Sequence, residues 1–527
     1  MGKSKTATRI LKTGIWLQPV TMVCIICLIG DDWKQQTPGC LLLSTIPVVL
    51  LYFFRLQGSI KDEPEKSGAM YPAVDRELLR QEPRNGDIVI GRYKGQYVCR
   101  SIREDAHYLI LGGAGSGKSS SIIIPTLLCN PDSSSLILDI KGELSEKAVK
   151  AGDERIRIFN PQDRGQWGYD PFFNLTDSST EQEQFEVMQS ISFSLITLPA
   201  DIKDPFWKNS ARNMLTGLFL YHYRQGRHDM AAIVDEILGR PIADSVSDAM
   251  EKTKAASICY KYLVQFSNMS EETISGIFAE LANALAIFAT DTDIRYALSI
   301  NPRRVNPQML EDGYSIFLVI REDKLSAYYN LLQLIINQTL AELEKRPEDA
   351  RPVIFMIDEL PRILSAGKIE RLLDASRTLR SRRVRLVLVT QSLEALEIAF
   401  CENEAVDLLS NCSYKIILDS SSSKSQKLVC DWAGTYKERK QSVSGQRQRT
   451  TSYEDKDILR PSDLMTLARS GELILISPYG YNRIEKCPYY SDRYFKPLAD
   501  DIREYNRMVK ELNGAAGKMS QAEKKDQ

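Results

Sequence analysis

The spacing of hydrophobic positions changes character along this chain. Residues 13–30 and 35–54 contain no charged side chain, and their centres read TMVCIICLIG and CLLLSTIPVVLLYFF. A helix of 18 residues rises about 27 Å, enough to cross a thin bilayer core, and membrane helices tolerate Pro19 and Pro47. Lys3, Lys5, Arg9 and Lys12 precede the first run, and Arg55 and Lys61 follow the second. The positive-inside rule then places both chain ends in the cytoplasm and only a turn, 31–38, outside. A cleaved signal peptide also begins basic and then apolar. Here no small-x-small site follows, and a second apolar run does. The pattern predicts a two-pass hairpin anchor over 1–57. A charged, Pro-interrupted linker follows over 58–86, with one helix around 75–81.

Beyond the linker the period shortens. Residues 87–99 alternate around a turn at 92–95, as a hairpin does. Short continuous apolar runs follow at 108–111, 135–140, 155–159, 314–320, 353–357 and 384–390, with last strands at 413–418 and 472–477. Runs of this kind, interleaved with helical stretches, predict parallel strands covered on both faces, with ligands at their carboxyl ends. Between 179 and 311 strand alternation is lacking and the spacing is helical. Ser179 with Gln182, and Ser270 with Glu271 and Glu272, are its helix-start signals. The reading is α/β: a nucleotide-binding domain in two halves, 87–178 and 312–497, interrupted by an all-α insertion over 179–311. A polar tail, 498–527, is expected to be disordered from 513.

Composition adds little to this picture. The chain has 68 basic and 69 acidic residues, so nucleic-acid contact must come from local patches. Its ten cysteines are scattered, and only Cys24 and Cys27 stand two apart. His107, His222 and His228 are not arranged to complete a zinc site, which favours reduced thiols.

The chemistry is concentrated in 109–121, LILGGAGSGKSSS. An apolar strand runs into Gly112-Gly113-Ala114-Gly115-Ser116-Gly117-Lys118-Ser119, matching G-x-x-x-x-G-K-[ST], with Ser120 continuing into a helix. Glycines let backbone N–H groups turn onto phosphates, Lys118 reaches the outer phosphates, and the Ser119 hydroxyl can hold Mg²⁺. Downstream, VIFMI ends in Asp358-Glu359. Asp358 would hold the Mg²⁺ shell, and Glu359 would orient the attacking water. The strand VRLVLVT ends at Gln391, a polar residue that can sense the γ-phosphate or simply cap the strand. No N/T-K-x-D motif is visible, which favours ATP over GTP. Two basic clusters, Arg377, Arg380, Arg382, Arg383 and Arg385 and then Lys437, Arg439, Lys440, Arg447 and Arg449, are consistent with DNA contact, surface or subunit contact.

Taken together, the two-span start, GGAGSGKSSSIIIPTLL, LILDIKGEL, DPFWKNSARNMLTG, VIFMIDELPRI and LVLVTQSLEAL resemble the type IV secretion coupling proteins, the TraG/TraD-like conjugative DNA-transfer ATPases, over 1 to about 497. The resemblance implies a RecA-like P-loop fold with an inserted all-α domain that faces the cytoplasm and meets substrate. It also implies a homo-hexamer in the bacterial plasma (inner) membrane that hydrolyses ATP with Mg²⁺. Such a protein hands DNA, single-stranded and relaxase-bound, or protein substrates to secretion-channel proteins. Lys118, Ser119, Asp358 and Glu359 match the family's ATP and Mg²⁺ residues, Gln391 its sensor, and Arg380 the arginine offered to the neighbouring subunit. Asp139, Lys141 and Glu143 match its D-x-K-G-E block. Ser365-Ala366-Gly367 reads as a small insertion that could shift the arginine match to Arg377 or Arg382. The external connection is shorter than in relatives that cross a periplasm, which suggests a host with a single membrane.

Other readings are a docking receptor whose ATP use only drives assembly, and an FtsK-like DNA pump. The helical insertion and the lack of a winged-helix tail argue against the second. Salt-sensitive, sequence-independent DNA binding fits a motor or a DNA receptor, and turnover stimulated by single-stranded DNA separates the two.

Overall fold

The computed structural model describes residues 73–198, 202–300, 303–364, 367–443 and 449–523. Both expected membrane spans lie outside these residues, as do Ser365 and Ala366 of the expected insertion. The chain divides into two compact units, Met1–Met70 with Thr435–Lys456, and Tyr71–Gly434 with Asp457–Gln527.

In chain order the strands of the larger unit begin with β1 (Leu79–Arg80), β2 (Asp87–Tyr93), β3 (Gln96–Ser101), β4 (Tyr108–Leu111), β5 (Ser134–Asp139) and β6 (Ile156–Phe159). Next come β7 (Gly168–Tyr169), β8 (Arg304–Val305), β9 (Ser315–Val319), β10 (Val353–Ile357), β11 (Val384–Thr390) and β12 (Tyr414–Ile417). The hairpin β13 (Thr435–Val443) and β14 (Arg449–Asp457) carries most of what is described of the smaller unit. The strands β15 (Glu472–Ser477) and β16 (Gly480–Glu485) then return to the larger one.

Twelve strands form one sheet in the order β1-β3-β2-β16-β15-β12-β4-β11-β10-β5-β9-β6. From β12 to β6 all pairings are parallel, and from β15 outward they are antiparallel. The P-loop strand β4 is therefore separated from β10 by β11, so the ends of all three stand side by side at one edge. Alternation along each strand feeds two cores. Leu109, Leu136, Leu138, Phe355 and Leu388 pack on one face, and Ile110, Ile137, Met356 and Val389 on the other. Both faces are covered, which is why these strands read as unbroken apolar runs.

Helices fill the stretch between β7 and β8. They are Glu181–Leu195, Phe206–Arg224, Met230–Leu238, Ile242–Glu251, Ile258–Leu263, Glu271–Thr290 and Thr292–Leu298. The first is capped by Thr180 in a reciprocal box with Glu183, one residue later than the Ser179 signal, while Ser270 caps where expected. β7 and β8 pair in parallel, which brings the two ends of this stretch together. Glu271–Thr290 is the one helix among the described residues long and apolar enough to span a membrane. Its Ile277, Leu281, Leu285 and Phe288 are nevertheless buried in the common core.

Two local expectations are corrected. The helix expected over 75–81 is one tight turn, Arg76–Leu78, capped by Asp75; the chain then extends into β1, whose pairing with β3 draws the end of the linker into the sheet. The tail expected to be disordered from 513 continues a helix, Phe495–Glu523. Phe495, Ala499 and Ile502 seat its first turns, and beyond them Ala, Lys, Met, Gln and Glu favour helix.

Candidate active site

Three apolar strands run into an aspartate at the same edge of the sheet. β5 ends on Asp139, Asp358 follows β10, and Asp419 stands two residues past β12. Along that edge the order is Asp419, P-loop, Gln391, Asp358 with Glu359, then Asp139. The sequence reading missed Asp419. The repeated pattern of an apolar strand running into Asp, as in LILD, FMID and IILD, was the signal for it.

The P-loop is tied on both sides. Gly112 N donates to Thr390 O at 3.1 Å, and Gly113 N donates to the Asp419 carboxylate. Gly115 and Gly117 have φ of 76° and 98°, and a Cβ on Gly112 would lie 2.4 Å from Ser116 Oγ, so glycine is required there. Ala114 and Gly115 are exposed at the tip, and Ser116 is buried with its Oγ unpartnered. Ser119 opens the helix Ser119–Cys129. Ser120 O accepts from Tyr489 N at 2.9 Å, which anchors the first turn.

Lys118 is buried, and its Nζ donates to Gly112 O at 2.8 Å and Gly113 O at 3.0 Å. An ammonium has three donors, so one is left for a phosphate. Burial lowers its pKa, against the pull of Glu359, Asp358 and Asp419. Burial likewise drives the Asp358 carboxyl up to about 7, with Glu359 adding to the rise and Lys118 opposing it. Among the described residues Asp358 Oδ1 has no hydrogen-bond partner.

Glu359 holds φ of 60°, the left-handed region that a side chain of this size rarely adopts. Its Oε2 accepts from Gln391 Nε2 at 2.7 Å and lies 3.2 Å from Arg362 Nε. The two strand ends thus place the expected sensor on the expected water-orienting carboxylate. Asp139 is buried and ties the first turn of the helix Glu143–Ala148 to the end of β5 by accepting from Ser145 N at 2.8 Å and Ser145 Oγ at 3.0 Å. Lys141 is exposed, and Glu143 pairs with Lys147 at 2.7 Å. The D-x-K-G-E block therefore builds the turn beside Asp358, and Lys141 stands near enough to oppose the charge on Lys118.

The arginine cluster lies at the opposite, amino edge of the sheet. β11 spans seven residues, so that edge is about 20 Å from the P-loop. Four of the five guanidinium groups are engaged within the fold. Arg377 binds Asp374 and Asp407, Arg382 donates to Arg346 O, and Arg383 donates to Asp349 O at 3.2 Å. Arg385, fully buried, donates to Ile102 O and Arg380 O, each at 2.8 Å, and to Asp105 Oδ1 at 2.8 Å. The Arg380 side chain is exposed and makes no hydrogen bond or ion pair among the described residues, while its carbonyl is fixed by Arg385. Of the second basic cluster, Lys437, Arg439 and Lys440 lie on β13 and Arg449 on β14, whereas Arg447 lies outside the described residues.

This edge fits ATP with Mg²⁺. Lys118 has a donor to spare, Asp358 has a buried oxygen without a partner among the described residues that could reach a metal, and a helix begins at the end of the loop.

The sequence model of the type IV secretory system conjugative DNA transfer family matches residues 65–524. Protein VirD4 of Agrobacterium fabrum (strain C58) is 24% identical over 429 residues, covering 77% of this chain and 62% of that protein. The match thus spans about three fifths of that relative's length. The unbound structure of the bacterial conjugative coupling protein TrwBdeltaN70 superposes with a TM-score of 0.62 at 18% identity, covering 77% of this chain and 89% of that one. Plasmid coupling protein TrwB in complex with ADP and Mg²⁺ gives 0.61 at 17% identity, covering 78% and 91%. The likeness establishes the α/β nucleotide-binding fold, with its mixed sheet and helices.

Proposed function

The chain belongs to the conjugative DNA transfer family of type IV secretory systems, and on that footing we propose that it is a membrane-anchored, ATP-hydrolysing coupling protein. It delivers DNA or nucleoprotein, with a relaxase attached, to the channel proteins of a secretion system. The observation that carries this reading is the 2.7 Å bond from Gln391 to Glu359, made beside Lys118 and the unpartnered Asp358 oxygen.

In this reading residues 87–178 with 312–497 form a RecA-like P-loop domain, interrupted by an all-α domain over 179–311 that meets substrate. The two apolar runs before residue 57 anchor it in the bacterial plasma membrane with both ends cytoplasmic. Nucleotide with Mg²⁺ supplies the phosphoanhydride bond whose hydrolysis drives transport. The backbone N–H groups of the loop, with Ser116 to Ser120, cradle the phosphates, and Lys118 neutralises the outer ones. Ser119 and Asp358 hold the metal shell. Glu359, its Oε2 held by Gln391 and Arg362, presents Oε1 to a water and takes up its proton. Gln391 then changes partner with the state of the γ-phosphate, which carries that state into the chain beyond β11. Arg380 is too far from its own P-loop to take part, so it serves the site of the next subunit in a homo-hexamer.

In the full-length protein Lys118→Ala abolishes turnover and substrate transfer while membrane insertion persists, because phosphate charge is no longer neutralised. Normal transfer by that variant would contradict a motor and leave a docking receptor. Topology is tested with reporters: fusions after Met1 and Gly58 report cytoplasmic, and one at Gln35 external. An external signal at Gly58 contradicts the hairpin.

A further inference from the structure

Glu359 is held by more than its sensor. Arg362 lies one turn on, in the short helix Leu360–Leu364, and its Nε stands 3.2 Å from the same Oε2 that accepts from Gln391. Both donors meet one oxygen, which leaves the other carboxylate oxygen open to a water. The grip matters because the Glu359 backbone sits at φ of 60°, a conformation that persists only where its surroundings enforce it.

Arg362 also reaches away from the nucleotide edge. Its Nη1 bonds Glu322 Oε1, in the tight turn Glu322–Lys324 that follows β9. At the other end of that turn, Lys324 Nζ lies 3.7 Å from Asp291 Oδ2, and Tyr328 OH donates to the same oxygen at 3.1 Å. Asp291 is the junction of two helices of the insertion. It closes Glu271–Thr290 and caps Thr292–Leu298 through Asp293 N at 2.9 Å and Ile294 N at 3.1 Å. Polar contacts therefore run from Gln391 through Glu359 and Arg362 to Glu322, and from Lys324 to Asp291, with the backbone of the tight turn Glu322–Lys324 joining the two segments. Their members come from the residues just past β11 and β10, the helix Leu360–Leu364, the turn after β9, and the insertion.

We propose that Arg362 is a positioning residue for hydrolysis: it orients the Glu359 carboxylate and, through the turn Glu322–Lys324, ties that orientation to the helical insertion at Asp291. The inference rests on Glu359 being the water-orienting group. It adds that where the insertion stands is felt at that carboxylate, so a shift of Asp291 slackens or tightens the hold on Glu359. Arg362 holds both Glu359 and Glu322 through ion pairs that exchange under small displacements, and the hold on Glu359 Oε2 is shared between a sensor amide and an arginine.

The test is a set of turnover measurements on the full-length protein in lipid nanodiscs, with ATP concentration varied to separate kcat from KM. Arg362→Ala lowers kcat about 10-fold or more through misplacement of the base, and leaves KM within about twofold. Arg362→Lys recovers part of the loss. Glu322→Gln and Lys324→Ala each lower kcat by about threefold alone, and neither lowers it further in the Arg362→Ala background, as expected for one linked unit. A normal kcat for Arg362→Ala beside an inactive Glu359→Gln overturns this inference and leaves the role of Glu359 intact. Full multiplication of the Lys324→Ala and Arg362→Ala effects, or no effect of Lys324→Ala alone, overturns the link to the insertion. Normal turnover by Glu359→Gln overturns the underlying reading instead.

Discussion

At the carboxyl edge of the parallel sheet Asp358 is left with a buried oxygen that has no partner among the described residues, whereas at the amino edge four of the five arginines in the 377–385 cluster are bonded within the fold. Asp358 keeps an unpartnered oxygen and a carboxyl raised to about 7, Glu359 holds a left-handed backbone, and Lys118 is desolvated. Some 20 Å away along β11, Arg385 is just as deeply buried, yet its donors are taken up by the carbonyls of Ile102 and Arg380 and by Asp105. The first edge gives up stability to keep groups ready for a ligand, and the second uses charge to fix backbone. Within that cluster Arg380 is the exception: its side chain is exposed and makes no bond among the described residues, while its carbonyl is held. A firmly held loop that points a free guanidinium outward suits a role in a neighbouring molecule.

If that contrast is right, Arg380→Ala lowers turnover of the assembled protein by about 10³-fold. It should change unfolding free energy by no more than about 0.5 kcal/mol, as at other exposed positions without a structural role. Steady-state turnover and urea unfolding on the same preparation decide this. Loss of stability would mark Arg380 as structural and erase the contrast.

A smaller effect is expected from Arg385→Met. The buried carbonyl of Ile102 loses its donor, which costs about 2–4 kcal/mol together with the bond to Asp105. The urea midpoint should fall, and turnover should fall with it because the Arg380 loop is released. An unchanged midpoint would mean that burial at this edge carries no stabilising bonds.

The smallest effect sharpens the same edge by pH. His107 is buried at the start of β4, where desolvation first, then Arg385 and Arg380, lower its pKa from 6.5 to about 3. The folded state therefore binds fewer protons than the unfolded state between those values. Its contribution is complete above about 6.5 and is lost as pH falls, by up to about 1.4 kcal/mol per pH unit. Unfolding free energy measured from pH 7.5 to 5 should show this slope. His107→Asn, whose side-chain oxygen can still accept from Leu386 N in place of Nδ1, should flatten it; an unaltered slope would assign the acid sensitivity elsewhere.

Much of the carboxyl edge was legible because its parts are contiguous in sequence. The loop 112–119, Asp358-Glu359 and Gln391 each sit at the end of an apolar run, and a parallel sheet brings such ends to one edge. Long-range partners were not legible. Asp419 meets Gly113 across 306 positions, and Arg385 reaches Ile102 across 283. The order β4-β11-β10, which puts Gln391 between P-loop and Asp358, follows from pairing rather than from period. β16 was missed because GYNRIE offers few apolar positions, and the hairpin β13–β14 because its residues are mostly polar and charged. The arginine cluster read as a possible DNA surface because composition cannot tell a guanidinium spent on carbonyls from a free one.

The most direct test of a site shared between subunits mixes two inactive proteins, Arg380→Ala and Glu359→Gln, at varied ratios and confirms that they co-assemble. In the proposed ring, mixed assemblies would include interfaces that join an intact Glu359 on one subunit to an intact Arg380 on its neighbour. Turnover should then rise above that of either parent and peak at intermediate ratios. Turnover that stays at the level of the parents despite confirmed co-assembly would contradict a site completed by Arg380 of the adjacent subunit.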